Sequence, residues 1–220
     1  QISVKPVQYL LAFSGCDVVI SLILFHYRWL KKQSSMFGLF KSKKKEIITK
    51  DFIYKNEAVK YKSMLQHLKD QEKSVLIYYF EDTKNAIQEV LNTAPINYST
   101  DVNSFVTKVW LINANTILNK SDIGNRTVFF AEHHPSFSRE NEIKQHLLEI
   151  EGIKEVIFYT SFEDKLLQLF GSERILQLME KMGFKDDEVI EHTMISTSIE
   201  RAQKRIDEKL SIHNNNTRQR

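Results

Sequence analysis

The stretch with the clearest potential for chemistry is Glu132-His133-His134, in which a carboxylate precedes two adjacent histidines. Histidine and carboxylate side chains bind zinc and are also the usual general bases. Adjacent residues on a strand point to opposite faces of the sheet, so the two histidines cannot share one site if the strand continues through them. We therefore favour a polar turn at the end of a strand, with a metal pair or a general base as the alternative.

Other isolated groups have simpler explanations. Glu81 and Asp82 follow a predicted strand at its carboxyl end, where open α/β sheets bind ligands, but the dipole of a following helix explains them equally well. Cys16 lies in an apolar run without a nearby histidine, which indicates an unreactive thiol. The acidic triple Asp186–Glu188 is interpreted as a solvated loop. The sequence contains no G-x4-G-K-[ST] stretch, so it has no phosphate-binding loop of that type.

Charge is unevenly distributed along the 220 residues, whose net charge is only +3. Residues 1–73 hold 14 lysines and arginines against 6 acids, whereas the remainder holds 17 against 22. A basic leading segment suits an anionic membrane surface or simple solubility, and nucleic-acid-binding domains more often carry their basic stripe on the folded body. We therefore expect no nucleic-acid partner. The single cysteine excludes an internal disulfide and fits a reducing, cytosolic compartment.

Residues 1–35 form a separate segment, because Val7–Phe25 is mostly apolar and is followed by basic residues. This pattern predicts a membrane-spanning helix with its basic end in the cytoplasm, although Asp17 near its centre costs about 3 kcal/mol on insertion scales. A mis-assigned start, with translation beginning at Met36, is favoured nearly as strongly. A buried core helix is a distant third interpretation. Residues 36–55 are predicted to be a basic linker.

Residues 56–160 alternate apolar strands with amphipathic helices. The predicted strands are Val75–Phe80, Val109–Asn113, Thr127–Glu132 and Val156–Thr160, with a weak one at Ile96–Thr100. Asn56 and Thr83 are the predicted N-caps of two helices, and Glu140–Ile150 is predicted to be a third. Apolar strands separated by helices predict an α/β layer fold, with a mostly parallel sheet covered on both faces.

Residues 161–210 are predicted to form a helical extension, followed by a polar tail at 211–220. Ser161 with Asp164, and Thr197 with Glu200, have the spacing of a capping box. The last helix is predicted at Ser196–Leu210. We expect it to fold back onto the α/β body with four apolar side chains inward: Ile199, Ala202, Ile206 and Leu210.

The stretch Phe158–Asp207 resembles the SecA family, the ATPase motors of bacterial protein export. The matching features occur in the family's order: a final strand, the helix start FYTSFED, the helix SERILQLMEKMG, the turn IEH and the helix SIERAQKRI. The match runs through this stretch almost without a gap. The resemblance implies a RecA/helicase-like domain corresponding to the family's second nucleotide-binding domain, followed by the start of its helical scaffold.

Upstream of this stretch the register is kept, but the family's nucleotide motifs are altered. The family segment TNMAGRGTD corresponds to Ala114–Asp122, in which Asn115 and Asp122 match and the two glycines are replaced by leucine and lysine. The family segment ERHES corresponds to Glu132–Ser136. The arginine-finger motif corresponds to His146–Glu155, which contains no arginine.

These changes predict a chain that does not hydrolyse ATP alone, since glycines let backbone amides approach phosphates and arginine fingers stabilise the transferred phosphoryl group. The resemblance therefore implies an accessory or binding module related to protein export. It implies a cytoplasmic location, peripheral to or anchored at the inner membrane, with the export machinery or a motor subunit as partner. No cofactor or metal is required.

Two alternatives stay open from the sequence. In the first, a partner supplies the missing phosphate loop, and this chain completes an Mg-ATP site through Asn115 and Asp122. In the second, the chain is a decayed paralogue without activity.

Overall fold

The structure is a computed structural model that describes residues 46–104, 106–168, 176, 185, 188–191 and 193–217. The strands are β1 (Ile48–Tyr54), β2 (Ser74–Tyr78), β3 (Tyr98–Ser99), β4 (Val109–Asn113), β5 (Thr127–Phe130) and β6 (Glu155–Ser161). The helices are α1 (Glu57–Asp70), α2 (Glu81–Asn92), α3 (Ala114–Ile117), α4 (Phe137–Glu149), α5 (Lys165–Gln168) and α6 (Thr193–Thr217). The predicted membrane segment Val7–Phe25, Cys16 and nearly all of the helix predicted after Ser172 lie outside the described residues.

The strands form one sheet in the order β1-β6-β5-β2-β4-β3, and every strand pair in it is parallel. Neighbouring parallel strands need a crossover connection, and helices α1, α2 and α4 provide the long ones. The predicted α/β fold with a parallel sheet flanked by helices is therefore confirmed. It is the architecture that the resemblance to a RecA/helicase-like domain implies.

Strand β1 lies within the stretch 36–55 that the sequence predicted to be a linker, so the folded domain begins before the predicted residue 56. β1 pairs with β6 along its whole length, from Ile48 opposite Glu155 to Tyr54 opposite Ser161. Its charged residues suggested a solvated linker, but they have partners. Lys50 forms an ion pair with Glu155 at 2.9 Å, and Asp51 is buried beside His133. Because these charged residues pair with residues far away in the sequence, the strand could not be predicted from the local sequence pattern.

Two apolar cores cover the two faces of the sheet, because successive strand residues point to opposite sides. One core packs α1 and α2 against the side chains of Leu76, Tyr78, Leu111 and Phe129. The other packs α4 against Val75, Ile77, Ile112, Val128 and Phe130. Strands buried on both faces read as continuous apolar runs, which is why the sequence identified the central ones.

Of the four predicted helix caps, Asn56 is right, because its side chain accepts a hydrogen bond from the Val59 N–H at 2.9 Å. Ser161 is the last residue of β6, and its hydroxyl donates to the Asp164 carboxylate at 2.6 Å instead of accepting a backbone N–H, so the capping box predicted there is wrong. Thr83 does not cap α2, which begins at Glu81, because its hydroxyl donates to Glu132. Thr197 lies inside α6 and donates to the Thr193 carbonyl. The predicted capping box with Glu200 is therefore wrong, since α6 begins at Thr193 and already includes Thr197.

Helix α6 folds back onto the α/β body, as predicted. Ile199 and Ala202 are buried, and Ile206 packs against a third apolar cluster that includes Ile53, Phe162 and Ile190. Leu210 was predicted to face inward, but it is 54% exposed. The helical spacing is right for Leu210; the prediction fails because the helix extends beyond the surface on which it packs.

The buried Arg126 forms hydrogen bonds at the end of the sheet where the strands begin. Its guanidinium donates to the carbonyls of Thr107, Lys108 and Ser74 at 2.9, 3.1 and 3.3 Å, and it lies 3.9 Å from the ring centroid of Trp110. One side chain thus satisfies carbonyl groups around the starts of β2 and β4.

We expect Arg126→Ala to lower the free energy of unfolding by about 3 kcal/mol, because charge-assisted hydrogen bonds and a cation–π contact are lost together. Urea denaturation followed by circular dichroism measures this change. Arg126→Lys keeps the charge but loses the planar fork, so its loss should lie between those of the wild type and the alanine variant. A change below about 0.5 kcal/mol for Arg126→Ala would contradict this role.

Candidate functional site

The topological switch point of the sheet lies between β2 and β5. Strand β2 leads through α2 to β3 on one side, whereas the neighbouring β5 leads through α4 to β6 on the other. In open α/β sheets, ligands bind in the crevice that such a reversal creates at the carboxyl ends of the strands. The segments that follow β2 and β5 therefore define the candidate site.

The carboxylate of Glu132 occupies this crevice at the start of α2. Its Oε1 accepts the N–H groups of Tyr79 at 2.9 Å and Phe80 at 3.1 Å, and its Oε2 accepts the Thr83 hydroxyl at 2.6 Å. Free N–H groups and the positive end of the helix dipole favour an anion at this position. The chain's own carboxylate thus uses the donors that would otherwise be free for a phosphate.

Burial raises the pKa of Glu132, and the hydrogen bonds from Thr83, Tyr79 and Phe80 offset part of that rise. Glu81 and Asp82 lie in the first turn of α2 but do not contribute to this crevice. Both are exposed and form ion pairs, Glu81 with Lys84 and Asp82 with Lys165. The interpretation of these two carboxylates as acids favoured by the helix dipole agrees with this placement.

The predicted nucleotide-motif residues Asn115 and Asp122 make separate local contacts. Asn115 lies in α3, which is capped by the side chain of Asn113, and its amide oxygen accepts a hydrogen bond from Arg139. Asp122 accepts the N–H of Gly124 at 2.7 Å, where the positive φ of 63° requires glycine. Both side chains thus have structural partners of their own.

The stretches that correspond to the family's nucleotide motifs do contact each other. His146, in the stretch that replaces the arginine-finger motif, lies 2.8 Å from the Lys120 carbonyl. Nearer the start of α4, Arg139 reaches Asn115 and also forms an ion pair with Glu142. Arg139 was not predicted from the sequence, because it lies outside the stretch that matches the arginine motif. Its partial exposure is the structural signal that distinguishes it.

The residues Glu132, His133 and His134 turn to three different environments, so the two histidines do not face one site and the alternative of a metal pair is wrong. The alternative of a general base stays a prediction. The strand ends at Phe130, and the favoured interpretation of a turn after a strand is confirmed. His134 accepts the Ser136 N–H at 2.9 Å and stacks on Phe80. Within the described part of the chain, no three His, Cys, Asp or Glu side chains are arranged to hold a metal ion.

His133 is buried between two carboxylates, which a polar turn does not suggest. Its Nδ1 lies 3.0 Å from Glu140 Oε2 and its Nε2 lies 3.3 Å from Asp51 Oδ1, and each of the three side chains is at most 5% exposed. Lys144 approaches the other oxygen of Glu140 at 3.3 Å. With Gln203, which donates to Glu140 at 2.8 Å, these residues are called here the His133 cluster.

Mutual pairing keeps the His133 cluster charged. Burial by itself would lower the pKa of His133, but the charges and contacts of Glu140 and Asp51 raise it to about 10. Burial opposes ionisation of Asp51 and Glu140, yet contact with His133 lowers the pKa of both carboxyls below their usual values. Two negative and two positive charges therefore balance within the interior.

Helix α6 contributes directly to this region, which the apolar spacing of its sequence did not indicate. Gln203 also donates to the His134 carbonyl at 2.7 Å, and Asp207 accepts the N–H and hydroxyl of Ser138 at 2.8 and 2.6 Å. Asp207 thus caps the start of α4 from another helix, and these hydrogen bonds lower the pKa of Asp207 although burial raises it. Gln203 and Asp207 are identified only from the structure, because α4 and α6 are in contact but far apart in the sequence.

A second buried ion pair joins α1 to the end of β6. The Lys60 ammonium lies 2.7 Å from Asp164 Oδ1 and its side chain is only 2% exposed. Ser161 donates to the same carboxylate oxygen, while the other oxygen, Oδ2, is buried without a hydrogen-bond partner. This pair fixes the first turn of α1 against the start of α5.

No helix in the described part of the chain combines the length and the apolar character needed to cross a bilayer. The predicted membrane-spanning segment Val7–Phe25 lies outside that part.

Comparisons with known proteins give partial matches to one family. No protein-family model matches the chain. Protein translocase subunit SecA of Christiangramia forsetii is 63% identical over 51 residues, which are 23% of this chain and 5% of that protein. SecA of Cytophaga hutchinsonii is 59% identical over a match of the same size. SecA of Chlorobium limicola is 38% identical over 87 residues, which are 40% of this chain and 8% of that protein.

Among solved structures, the C-terminal part of the Fun30 ATPase domain matches with a TM-score of 0.37 and 16% identity, over 70% of this chain and 56% of that chain. Similarity at this level adds nothing to what the strand order already establishes about the fold. The matches to curated relatives extend over only 5 to 8% of the length of those proteins. Over that part of its sequence, the chain is a SecA-like partial homologue.

Proposed function

We propose that this chain is a SecA-like accessory or binding module related to protein export, cytoplasmic, and without ATP hydrolysis of its own. The similarity to translocase subunit SecA supports the link to export. The single observation that carries the lack of hydrolysis is the absence of arginine from His146–Glu155, where the family has its arginine-finger motif. Glu132, which the family segment shares, fills the crevice at the start of α2 and accepts its hydrogen-bond donors.

The altered family motifs support the same proposal. The side chains of Asn115 and Asp122 form hydrogen bonds with Arg139 and Gly124. In the stretch that corresponds to the family's arginine motif, α4 carries Leu147, which is buried in the core. We therefore infer a protein partner, and the similarity to SecA suggests the export machinery as that partner.

Isolation of the tagged full chain from a SecA-containing bacterium tests the link to export. We expect the channel proteins or SecA itself to be enriched at least tenfold over a control that carries only the tag, after mild cross-linking and quantitative mass spectrometry. Equal recovery in the two samples would contradict the export link.

A second candidate function, in which the chain completes an ATP site on a partner, is favoured by one observation. The Arg139 guanidinium lies on Asn115 and is 38% exposed, so it is accessible at the carboxyl end of the sheet. Arginine fingers supplied by a partner can raise phosphoryl-transfer rates by several orders of magnitude. This candidate places Arg139 and Asn115, rather than Asp122, at the site.

Hydrolysis assays distinguish the two candidates. For the first candidate, we expect no ATP hydrolysis by the full chain and no change in the rate of purified SecA when the chain is added. A rate increase that the Arg139→Gln variant abolishes, and that the Arg201→Gln variant retains, would favour the second candidate. Arg201 is an exposed arginine on α6 and serves as the matched control.

A further inference from the structure

Helix α6 is held on the body by side chains only. Its first half packs Ile199 against the apolar cluster around Ile53, and its second half is joined to α4 by Gln203 and Asp207. Among the described residues, no backbone hydrogen bond links α6 to the sheet or to α4. From Glu208 to Ile212 the helix is exposed, so Asp207 is the last of the described side chains that holds it on the body.

The other elements around the His133 cluster are fixed more firmly. Asp51 lies on β1, which pairs with β6 over seven residues. His133 follows β5, which is paired on both sides, and Glu140 lies in α4, whose apolar face is buried in the core. Opening the cluster at any of these elements would break the sheet or its crossover. Opening it at α6 breaks side-chain contacts only.

We propose that α6 is a strap whose segment Gln203–Asp207 stays on the body only while the charges of the His133 cluster balance. A buried charge without a partner must be hydrated or neutralised, because its desolvation costs several kcal/mol. When one positive charge is removed, a carboxylate of Asp51 or Glu140 is left uncompensated. Water reaches this carboxylate most readily where Gln203 moves away. The charge imbalance therefore detaches this part of α6 while the sheet stays intact.

Hydrogen–deuterium exchange of the full chain at neutral pH tests the proposal. In the His133→Gln variant we expect the amides of Gln203–Ser211 to exchange at least tenfold faster than in the wild type. Their exchange should depend less on denaturant than that of β2 and β5, because a local opening exposes less surface than global unfolding. Two variants are matched controls. His67→Gln removes a histidine that contacts Tyr159 on the other face, and Arg201→Ala changes an exposed residue of α6 itself. Neither should change α6 exchange by more than about twofold.

A charge-restoring double variant separates charge balance from simple loss of contacts. His133→Gln with Glu140→Gln removes one positive and one negative charge, and an amide at position 140 can still accept from Gln203. We expect the double variant to recover most of the α6 protection that the single variant loses, which is a coupling that a double-mutant cycle measures. Lys144→Met, which removes the more exposed cation, should loosen α6 in the same direction.

Three results would overturn the proposal. The first is unchanged α6 exchange in His133→Gln and Lys144→Met. The second is exchange of the α6 amides that rises with denaturant as steeply as that of β2 and β5, in His133→Gln or, if that variant does not fold, in Lys144→Met. The third is a double variant whose α6 exchanges as fast as that of the single variant.

Discussion

Replacing His133 with glutamine is expected to lower the free energy of unfolding by about 3 kcal/mol at neutral pH. Removing one partner of a buried ion pair leaves an unpaired buried charge, and such variants typically lose 3–5 kcal/mol. His133 stands between Asp51 and Glu140, and all three side chains are almost fully buried. Urea denaturation of the two proteins measures the difference. A loss below about 1 kcal/mol would contradict the role assigned to the cluster.

The contribution of His133 should also depend on pH in a defined direction. The pKa of His133 is raised from 6.5 to about 10 in the folded protein, so its stabilising effect is complete below pH 6.5. It is lost as the pH rises toward about 10, because the folded protein holds a proton that the unfolded chain has released.

The wild type should therefore lose stability relative to His133→Gln between pH 7 and pH 9, by up to about 1.4 kcal/mol for each pH unit. Urea denaturation of both proteins at the two pH values measures this. A constant difference would show that His133 is not charged in the folded state.

The second large effect is expected at Lys60. Lys60→Met should lower the free energy of unfolding by about 3 kcal/mol, because Asp164 would keep a buried charge with only the Ser161 hydroxyl beside it. Urea denaturation at neutral pH measures the loss. Lys165→Met is the matched control, since the ammonium of Lys165 is 92% exposed and pairs with an equally exposed Asp82. This control should show no measurable change.

A double variant tests the explanation for Lys60. Lys60→Met with Asp164→Asn removes both charges, and replacing a whole buried pair by neutral groups is often nearly neutral for stability. The double variant should therefore be more stable than Lys60→Met alone. If it is equally destabilised, the loss comes from packing of the long side chain and not from charge.

The sequence predicted those features of the fold that depend on local patterns. Central strands such as Val109–Asn113 are apolar on both faces and are bounded by polar residues, so their composition identifies them. Asn56 was a correct cap because its partner is three residues away. Strand β1 was missed because Lys50 and Asp51 find their partners more than eighty residues away.

The candidate site was harder to predict, for the same physical reason. The sequence places Glu132 after a strand, but only the parallel order of β2 and β5 brings it to the start of α2. Threonine is a common N-cap residue, yet the hydroxyl of Thr83 donates a hydrogen bond to Glu132 instead. The sequence around His133 suggested a polar turn, and only the packing of β1 and α4 around this residue shows that it is buried between two carboxylates.

Isothermal titration of the full chain with Mg-ATP tests the central claim most directly, since that claim is a SecA-like module whose nucleotide motifs are altered and whose crevice at the start of α2 is filled by Glu132. We expect no heat beyond dilution up to millimolar nucleotide, for the wild type and for Glu132→Gln, in which the amide keeps the position filled. Saturable binding to the wild type with a Kd below about 1 mM, about −4 kcal/mol, would contradict the account.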